Sequence, residues 1–406
     1  TAGLTNICNV HGYVVNEGEK SPIPGQLIYR GYNINDLVSN AVEENRFAYE
    51  ETVYLLLMGE LPNAQELEAF KSIMSENRSL PMNFFEDMIL KAPSRNIMNK
   101  MGRSVLALYS YDENPENRSP EYEMATAISI ISKLPNIMVS AYQVKKRIFD
   151  GESMVMHPLI PEHSTAEMIL SALRNDRQFT DEEAKLLDLM LMLHAEHGGG
   201  NNSTFSCRVL TSSGTDPYSA YTAAIGSLKG PRHGGANIKV AGMHDCIKEN
   251  VSNWNDEGEV ADFLRKILRK EAYDKSGLIY GMGHAVYTLS DPRAVILKDN
   301  AKKLAMGTEF EAEFNLLETV ERLTPELFAE VKGDNKVMCA NVDMYSGLVY
   351  RMLGIPDDLF TPLFAVSRMA GWCAHRFEEL VTGKRIIRPA YKAVSREREY
   401  TPINER

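Results

Sequence analysis

One run of residues constrains the fold of this chain more than any other. Residues 186–193 read Leu-Leu-Asp-Leu-Met-Leu-Met-Leu, so a helix built from them is apolar on nearly every face. Such a helix has to lie inside the core of a large domain. It continues directly into His194-Ala-Glu-His197 and three glycines. Its C-terminal end is therefore predicted to carry polar side chains into the protein interior.

The composition fits a chain with a large packed core. With 406 residues, 44% of them hydrophobic, two or three domains are expected. No apolar run approaches the length of a membrane span. The net charge of −11 argues against nucleic acid or an anionic membrane as a partner. The five cysteines are widely separated and form no CxxC pair, which indicates a reducing compartment, and we expect a cytoplasmic protein.

Local signals predict an all-α fold with a small N-terminal β-ribbon. Residues 12–15 and 26–31 flank a turn rich in Pro, Gly and Glu, which favours paired strands. Pro135 lies inside the apolar-periodic stretch 121–147 and is expected to kink or split that helix. Helix-start signals recur along the rest of the chain: Asn63 with Glu66, Thr180 with Glu183, Ser119-Pro120, Asp216-Pro217, Asp291-Pro292 and Thr324-Pro325.

The segment 281–293 combines a glycine turn, a histidine and a helix start. Its two glycines, on either side of Met282, allow backbone angles closed to other residues, and His284 follows at once. The Asp-Pro pair further on is typical of an N-cap and a first helical residue. It places Arg293 in a first turn, where free N–H groups favour an anion. Arg293 is thus a candidate carboxylate receptor beside His284, the alternative being an ordinary loop with a surface arginine.

Two further segments carry titratable groups beside glycines or helix ends. Residues 230–237 contain His233 before a glycine pair, and residues 340–347 contain Asp343. Together with His284 these groups make a general acid–base set. In such a set a carboxylate takes a proton from a carbon acid, while neutral imidazole N–H groups hold the new oxyanion. Taken singly, each histidine is more often structural than catalytic.

Other kinds of site find less support in the residues. The spacing of His194 and His197 is one residue short of the metalloprotease motif, with no obvious third ligand, so we expect no metal. Gly-Met-Gly at 281–283 lacks the strand, third glycine and helix of a dinucleotide fingerprint. No GxSxG nucleophile elbow is present.

Taken in order, these motifs resemble those of the citrate synthase family over essentially the whole chain after the β-ribbon. The residues that carry the resemblance are His-Ala-Glu-His at 194–197, Ser-Ser-Gly-Thr-Asp-Pro-Tyr at 212–218, Gly-Pro-Arg-His-Gly-Gly-Ala-Asn at 230–237, the segment 281–293, and Asn-Val-Asp-Met-Tyr-Ser-Gly at 341–347. The resemblance implies a two-domain, nearly all-helical subunit. Residues 1–233 and 349–406 would form the large domain, and residues 234–348 a small domain that closes over the active-site cleft.

The resemblance also implies an activity. It is an acyltransferase reaction that condenses acetyl-CoA with oxaloacetate and hydrolyses citryl-CoA to citrate and CoA, as in the tricarboxylic acid cycle. No cofactor is implied, because acetyl-CoA is a substrate. The implied assembly is a homodimer or a hexamer of dimers.

Carried onto matching positions, the resemblance assigns three catalytic residues. Asp343 would remove a proton from the acetyl methyl group, His233 would donate a hydrogen bond to the thioester oxygen, and His284 would polarise the oxaloacetate carbonyl. A helix starting after Gly234-Gly235 would keep His233 neutral by depressing its pKa.

The resemblance assigns the substrate carboxylates to Arg293, Arg368 and Arg388, with His197 assisting. Arg388 would come from the neighbouring subunit. It lies in residues 383–398, which hold six Lys or Arg and one Glu. A solvated basic tail is the other interpretation of that charge run.

The positions expected to line the CoA path share a glycine-rich or apolar character: Leu278, Ile279, Gly281, Met282, Gly283 and Asn341. Met282 replaces the more usual aromatic residue of the family. Thr288 stands where relatives often carry Arg or Lys facing the CoA phosphates, so phosphate recognition is expected to be weaker or supplied elsewhere.

Three alternatives stay open. One methylene separates acetyl-CoA from propionyl-CoA and is worth only about 1–3 kcal/mol in an apolar pocket, so a 2-methylcitrate synthase fits the same motifs. A lyase acting on citryl-CoA is less favoured, because the domains that make citryl-CoA from ATP are absent. A non-catalytic CoA-binding homologue is a third, although it would be expected to lack at least one of His233, His284 and Asp343.

Overall fold

The computed structural model describes residues 3–406 and begins with a three-stranded antiparallel sheet. Its strands are β1 (Cys8–Asn16), β2 (Glu19–Tyr29) and β3 (Tyr32–Asn33), in the order β1-β2-β3. Cys8 pairs with Tyr29 and Asn16 with Glu19 at the two ends of the β1–β2 register. The predicted β-ribbon is confirmed, with longer strands than expected.

The rest of the described chain is mainly helical, which confirms the all-α prediction. The α-helices are α1 (Ile34–Glu43), α2 (Tyr49–Met58), α3 (Ala64–Glu76), α4 (Ile97–Leu108), α5 (Pro120–Lys145), α6 (Thr165–Leu173), α7 (Asp181–His194), α8 (Asn202–Ser212), α9 (Pro217–Lys229), α10 (Ala236–Asn250), α11 (Glu257–Leu268), α12 (Pro292–Ala305), α13 (Glu311–Lys332), α14 (Asp343–Met352) and α15 (Phe360–Thr382). Short π-helical segments cover Phe85–Leu90 and Lys146–Asp150, and short 3-10 segments cover Tyr109–Tyr111, Asp357–Leu359 and Ile403–Glu405.

Most of the predicted helix starts are confirmed by their caps. Asn63 and Thr180 each form a reciprocal capping box with the glutamate three residues on. Ser119, Asp216 and Asp291 each accept a backbone N–H from the turn that follows their proline. These signals work because a cap satisfies N–H groups that a first turn leaves without partners.

Two prolines lie inside helices. Thr324-Pro325 does not start a helix but lies inside α13. The Thr324 hydroxyl donates back to the carbonyl of Val320, as threonine does in a helix interior, and so does not act as an N-cap. Pro135 does not split its helix either, because α5 continues through it. Residues on both sides of Pro135 are buried, so tertiary packing outweighs the lost hydrogen bond.

The prediction of a buried helix at 186–193 is confirmed. Leu187 and Leu193 are fully buried in α7, which packs against α2, α6, α12 and α15. The long helix α15 is buried from Phe360 to Arg376 and also contacts α5, α8 and α9. His194 at the end of α7 therefore faces the interior of the protein, where polar groups of α15 are also buried.

One helical stretch differs from the expectation about membrane spans. Pro120–Asp150 is long and apolar enough to cross a membrane by length and composition alone. However, 72% of its most apolar window is buried inside the protein. Its apolar character is therefore explained by packing in the core.

Candidate active site

Two short segments pair edge to edge and bring together the backbones that carry His284 and Asp343. Met282 and Ala340 form an antiparallel bridge. The Asn341 backbone N–H donates to the Gly281 carbonyl oxygen, 2.8 Å away. Gly281 has a φ of +84°, and a Cβ there would lie 2.9 Å from the Cα of Met344, so both conformation and space require glycine. This pairing holds the loop that ends at His284 against the start of α14, which begins with Asp343.

The orientation of His284 is fixed by its own loop. Its Nδ1 accepts backbone N–H groups from Val286 and Tyr287 at 3.0 and 3.1 Å. The proton of the neutral ring therefore lies on Nε2. Burial, followed by the charge of Arg293, lowers the pKa of His284 to about 4. At neutral pH the ring is an uncharged hydrogen-bond donor through Nε2.

His233 lies just before α10 and is also held as a neutral ring. Its Nε2 lies 2.9 Å from the Ser203 hydroxyl and accepts the Ser203 backbone N–H at 3.4 Å. The Trp372 indole N–H donates to the same hydroxyl at 3.2 Å. The ring proton therefore lies on Nδ1. Burial, followed by the charge of Arg368, lowers the pKa of His233 to about 4. α10 starts after Gly235, as expected.

Asp343 is a half-buried carboxylate at the start of α14. Its backbone N–H donates to the side-chain oxygen of Asn341 at 3.0 Å, which fixes the first turn of α14. Burial raises the pKa of Asp343 to about 6, although the charges of Arg293 and Arg368 oppose the rise. The group is thus mostly ionised at neutral pH but is a far better proton acceptor than an ordinary aspartate.

Two buried arginines differ in how they are satisfied. Arg368 is fully buried, and its Nε donates to the His194 carbonyl at 2.6 Å. Within residues 3–406, its Nη1 and Nη2 have no hydrogen-bond partner. Arg293 is held by Asp291, with Nε and Nη2 donating at 3.0 and 2.7 Å. The sequence analysis treated Asp291 only as an N-cap, and the structure shows that it also takes up part of the Arg293 fork.

His197 lies next to His284. Their ring centroids are 5.2 Å apart with nearly perpendicular planes, and the Tyr287 ring is 5.7 Å from that of His197. Burial, followed by the charge of Arg293, lowers the pKa of His197 well below its usual value. In the described chain its Nε2 has no hydrogen-bond partner. His197 is therefore a second neutral imidazole beside His284.

The structure does not bring every predicted residue into this cluster. Arg388 is exposed in the non-helical segment after α15. Leu278 is also exposed, whereas Ile279 is buried. Gly283 and Asn341 lie directly beside the paired segments, since the Asn341 side chain donates to the Gly283 carbonyl at 2.9 Å. No cluster of three or more His, Cys, Asp or Glu suited to a metal ion occurs in residues 3–406.

Sequence reasoning missed three side chains that hold the site together. Ser203 orients His233, Asp291 anchors Arg293, and Tyr287 stacks on His284 with ring centroids 4.6 Å apart. Only Tyr287 had a usable signal, since it follows His284 closely in the same motif. Ser203 sits 30 residues from His233, so only the packed fold reveals the contact.

The fold is mainly helical, and the site sets neutral imidazoles and a carboxylate beside buried arginines. With the matches that follow, this makes the protein an enzyme that transfers an acyl group. Residues 1–390 match the family described as citrate synthase, C-terminal domain. The chain is 34% identical to citrate synthase from Haloferax volcanii, over 98% of each chain. It is 33% identical to 2-methylcitrate synthase 1 from Corynebacterium glutamicum, over 95% of this chain and 93% of that one.

A solved structure gives the same result. The ternary complex of carboxymethyl coenzyme A and oxaloacetate with citrate synthase from Thermoplasma acidophilum has a TM-score of 0.79 to this structure. The two sequences are 28% identical, and the match covers 100% of this chain and 97% of the other. The chain belongs to the citrate synthase family.

Proposed function

We propose that the protein condenses acetyl-CoA with oxaloacetate and then hydrolyses citryl-CoA to citrate and CoA. The observation that carries the proposal is the protonation pattern of the site. Two imidazoles, His233 and His284, have pKa values lowered to about 4, while the pKa of Asp343 is raised to about 6. At neutral pH this gives one base and two uncharged donors, which is the set that enolisation and carbonyl attack require.

In the first step, the Asp343 carboxylate takes a proton from the methyl carbon of acetyl-CoA. The electron pair of the broken C–H bond moves to the thioester oxygen, which becomes an enolate oxygen. The Nδ1–H of His233 donates to that oxygen. Because the methyl group is a much weaker acid than Asp343, this hydrogen bond has to supply several kcal/mol of stabilisation.

In the second step, the enolate carbon attacks the ketone carbon of oxaloacetate. The Nε2–H of His284 donates to the ketone oxygen, stabilises the charge that develops on it and gives it the proton of the citryl-CoA hydroxyl group. The imidazole then regains a proton, and Asp343 loses the one taken from the methyl group, by exchange with solvent. Water then adds to the thioester of citryl-CoA, and CoA leaves as a free thiol. A neutral imidazole suits the donor role, because a low pKa keeps its N–H group while avoiding a fixed charge.

The carboxylates of oxaloacetate would be held by Arg293, Arg368 and His197, with Arg388 supplied by a neighbouring subunit. The unpartnered Nη1 and Nη2 of Arg368 support this role, since a buried guanidinium without an acceptor is costly unless an anion binds it. Acetyl-CoA would lie along Leu278, Ile279 and the paired segments 281–283 and 340–341.

The proposed assembly is a homodimer, or a hexamer of dimers, in the cytoplasm, where the enzyme serves the tricarboxylic acid cycle. Residues 234–348 would form the small domain that closes over the remainder of the chain. At this boundary Gly234 is tightly packed, because a Cβ there would collide with the Leu228 carbonyl and the Thr361 side chain.

A 2-methylcitrate synthase is the second candidate, because a relative of that name matches nearly the full chain. The test is the release of free thiol from acetyl-CoA and from propionyl-CoA, each with and without oxaloacetate. We expect release that requires oxaloacetate and a higher kcat/KM for acetyl-CoA. A higher kcat/KM for propionyl-CoA would favour the second candidate, and no oxaloacetate-dependent release would favour a non-catalytic CoA-binding homologue.

A further inference from the structure

A buried series of polar side chains starts at the backbone that carries His197. Glu196 is fully buried, and its Oε1 accepts the backbone N–H groups of His197 and Gly198, each at 2.6 Å. Its other oxygen, Oε2, lies 2.8 Å from Nε2 of His375 on α15, which is also fully buried. Within residues 3–406 neither atom makes a hydrogen bond, so the two side chains are joined by a close polar contact. One carboxylate thus joins the turn after α7 to the helix behind it.

The series continues away from the site. Arg208 donates to Nδ1 of His375 at 2.8 Å. Because a guanidinium only donates, Nδ1 has to accept, and the ring proton lies on Nε2, facing Glu196. Arg208 also pairs with Glu378 and Glu379 at 2.8 and 3.1 Å, at the C-terminal end of α15.

Neighbouring groups fix both the charge and the position of the Glu196 carboxylate. Burial raises its pKa, but His375, Arg368 and the His197 N–H outweigh that effect, so the pKa of Glu196 is lowered. The residues around the Glu196 carboxylate also leave just enough room for it. A Cβ at Gly371 would come within 2.7 Å of Glu196 Oε2, and the Gly371 N–H donates to the Ala195 carbonyl at 3.1 Å.

The turn held in this way carries groups for the substrate. His197 projects from it beside His284, and the His194 carbonyl at its start receives the Nε of Arg368. A shift of this backbone would therefore move His197 and release Arg368 together. A displacement of about 1 Å is enough to weaken a preorganised site strongly.

We propose that Glu196 and His375 are positioning residues for oxaloacetate: His375 orients the Glu196 carboxylate, and this carboxylate fixes the backbone that carries His197. This inference rests on the proposed function. It predicts that affinity for oxaloacetate depends on a hydrogen-bonding side chain at position 375, although that side chain does not touch the substrate.

The experiment compares His375→Leu with His375→Gln. Glutamine keeps one donor and one acceptor, whereas leucine keeps neither. Calorimetric titration with oxaloacetate alone is expected to show a rise in Kd of about tenfold or more for His375→Leu, and about threefold or less for His375→Gln. At saturating oxaloacetate, kcat should stay within about threefold for both, because Asp343, His233 and His284 are unchanged.

Cys373→Ala is the matched control, since Cys373 is buried on the same helix two residues earlier and its thiol hydrogen-bonds to Tyr221, outside the polar series described above. Its Kd for oxaloacetate should match that of the wild type. An equal rise in Kd for Cys373→Ala and His375→Leu, or an unchanged Kd in folded His375→Leu, would overturn the inference.

Glu196→Gln tests the same point if His375→Leu fails to fold. Judged by charge alone, Glu196→Gln should strengthen binding of the oxaloacetate dianion, because it removes a negative charge near Arg368. Weaker binding by Glu196→Gln would therefore report lost positioning, and tighter or equal binding would overturn the inference. These results are separate from the proposed function, which fails if the wild type itself neither binds oxaloacetate nor releases thiol in its presence.

Discussion

The side-chain N–H of Asn341 donates to the carbonyl oxygen of Gly283, 2.9 Å away. The side-chain oxygen of the same residue accepts the backbone N–H of Asp343. One amide therefore bridges the residue before His284 and the proposed catalytic base, although 58 residues separate Asn341 from Gly283.

The Asn341 bridge predicts a loss of turnover when it is removed. Asn341→Ala should lower kcat by about tenfold or more, because both hydrogen bonds are lost and Asp343 is no longer held in register with His284. Thermal unfolding of the same variant shows whether the protein stays folded. Asn300→Ala is a suitable control, since that side chain only bonds within its own helix α12. An unchanged kcat for Asn341→Ala would contradict the bridging role.

Asp343→Asn should remove turnover while oxaloacetate still binds. The expected decrease in kcat is about 10²- to 10⁴-fold, the usual contribution of a general base. Steady-state kinetics and calorimetric titration with oxaloacetate measure the two effects separately. A variant that keeps a near-normal kcat would show that the base is assigned to the wrong residue.

The pH profile should have a single acidic limb set by Asp343. The base has to be ionised, and its pKa is raised to about 6, so kcat/KM for acetyl-CoA should fall as the pH drops through about 6. The two histidines have pKa values of about 4 and stay neutral across that range. A limb centred near pH 4 would instead indicate an ordinary carboxylate at Asp343.

Two buried arginines on α15 provide a matched pair of variants. Arg368 has two unpartnered nitrogens, whereas Arg376 is bound by Glu123, Thr211 and the Thr215 carbonyl. Arg368→Gln should raise the Kd for oxaloacetate by about 30-fold, equivalent to about 2 kcal/mol, because a buried anion contact is lost. Arg376→Lys should lower the Tm and leave that Kd unchanged. The opposite pattern would exclude Arg368 as a substrate ligand.

The proposed role of Arg388 in the neighbouring subunit's site predicts that two inactive variants restore activity when they form mixed dimers. If it completes the neighbouring site, Arg388→Ala and Asp343→Asn should each be inactive alone, and mixed dimers should recover one of their two sites. Random exchange of subunits makes half of the dimers mixed, so about a quarter of wild-type activity should return. No recovery after subunit exchange, verified by native mass spectrometry, would indicate that Arg388 acts in its own chain or not at all.

Sequence patterns identified the features that depend on neighbouring residues. Thr180 and Asp291 cap their helices as predicted, because a cap acts within one turn. The prediction that Thr324-Pro325 starts a helix was wrong. The same pair of residues fits a helix interior when the apolar face of α13 continues on both sides. A local signal does not reveal whether the helix has already begun.

The arrangement of the site depended on contacts that sequence spacing does not encode. The residues His233, His284 and Asp343 were proposed from their motifs, but their motifs do not show which nitrogen of each ring is protonated. For His233 it is set by Ser203 on α8, and for Arg293 the pairing with Asp291 emerged only from side-chain geometry. Burial, which sets the pKa values, is a property of the packed helices as a whole.

The proposed function requires this site to make a carbon–carbon bond between an acyl methyl group and oxaloacetate. Mass spectrometry of the product from acetyl-CoA labelled with ¹³C at both acetyl carbons, with unlabelled oxaloacetate, detects that bond. Citrate that carries both labelled carbons is expected from the wild type, and none from the Asp343→Asn variant. Labelled acetate with oxaloacetate left unchanged would mean that the enzyme only hydrolyses the thioester, and the proposed function would then be wrong.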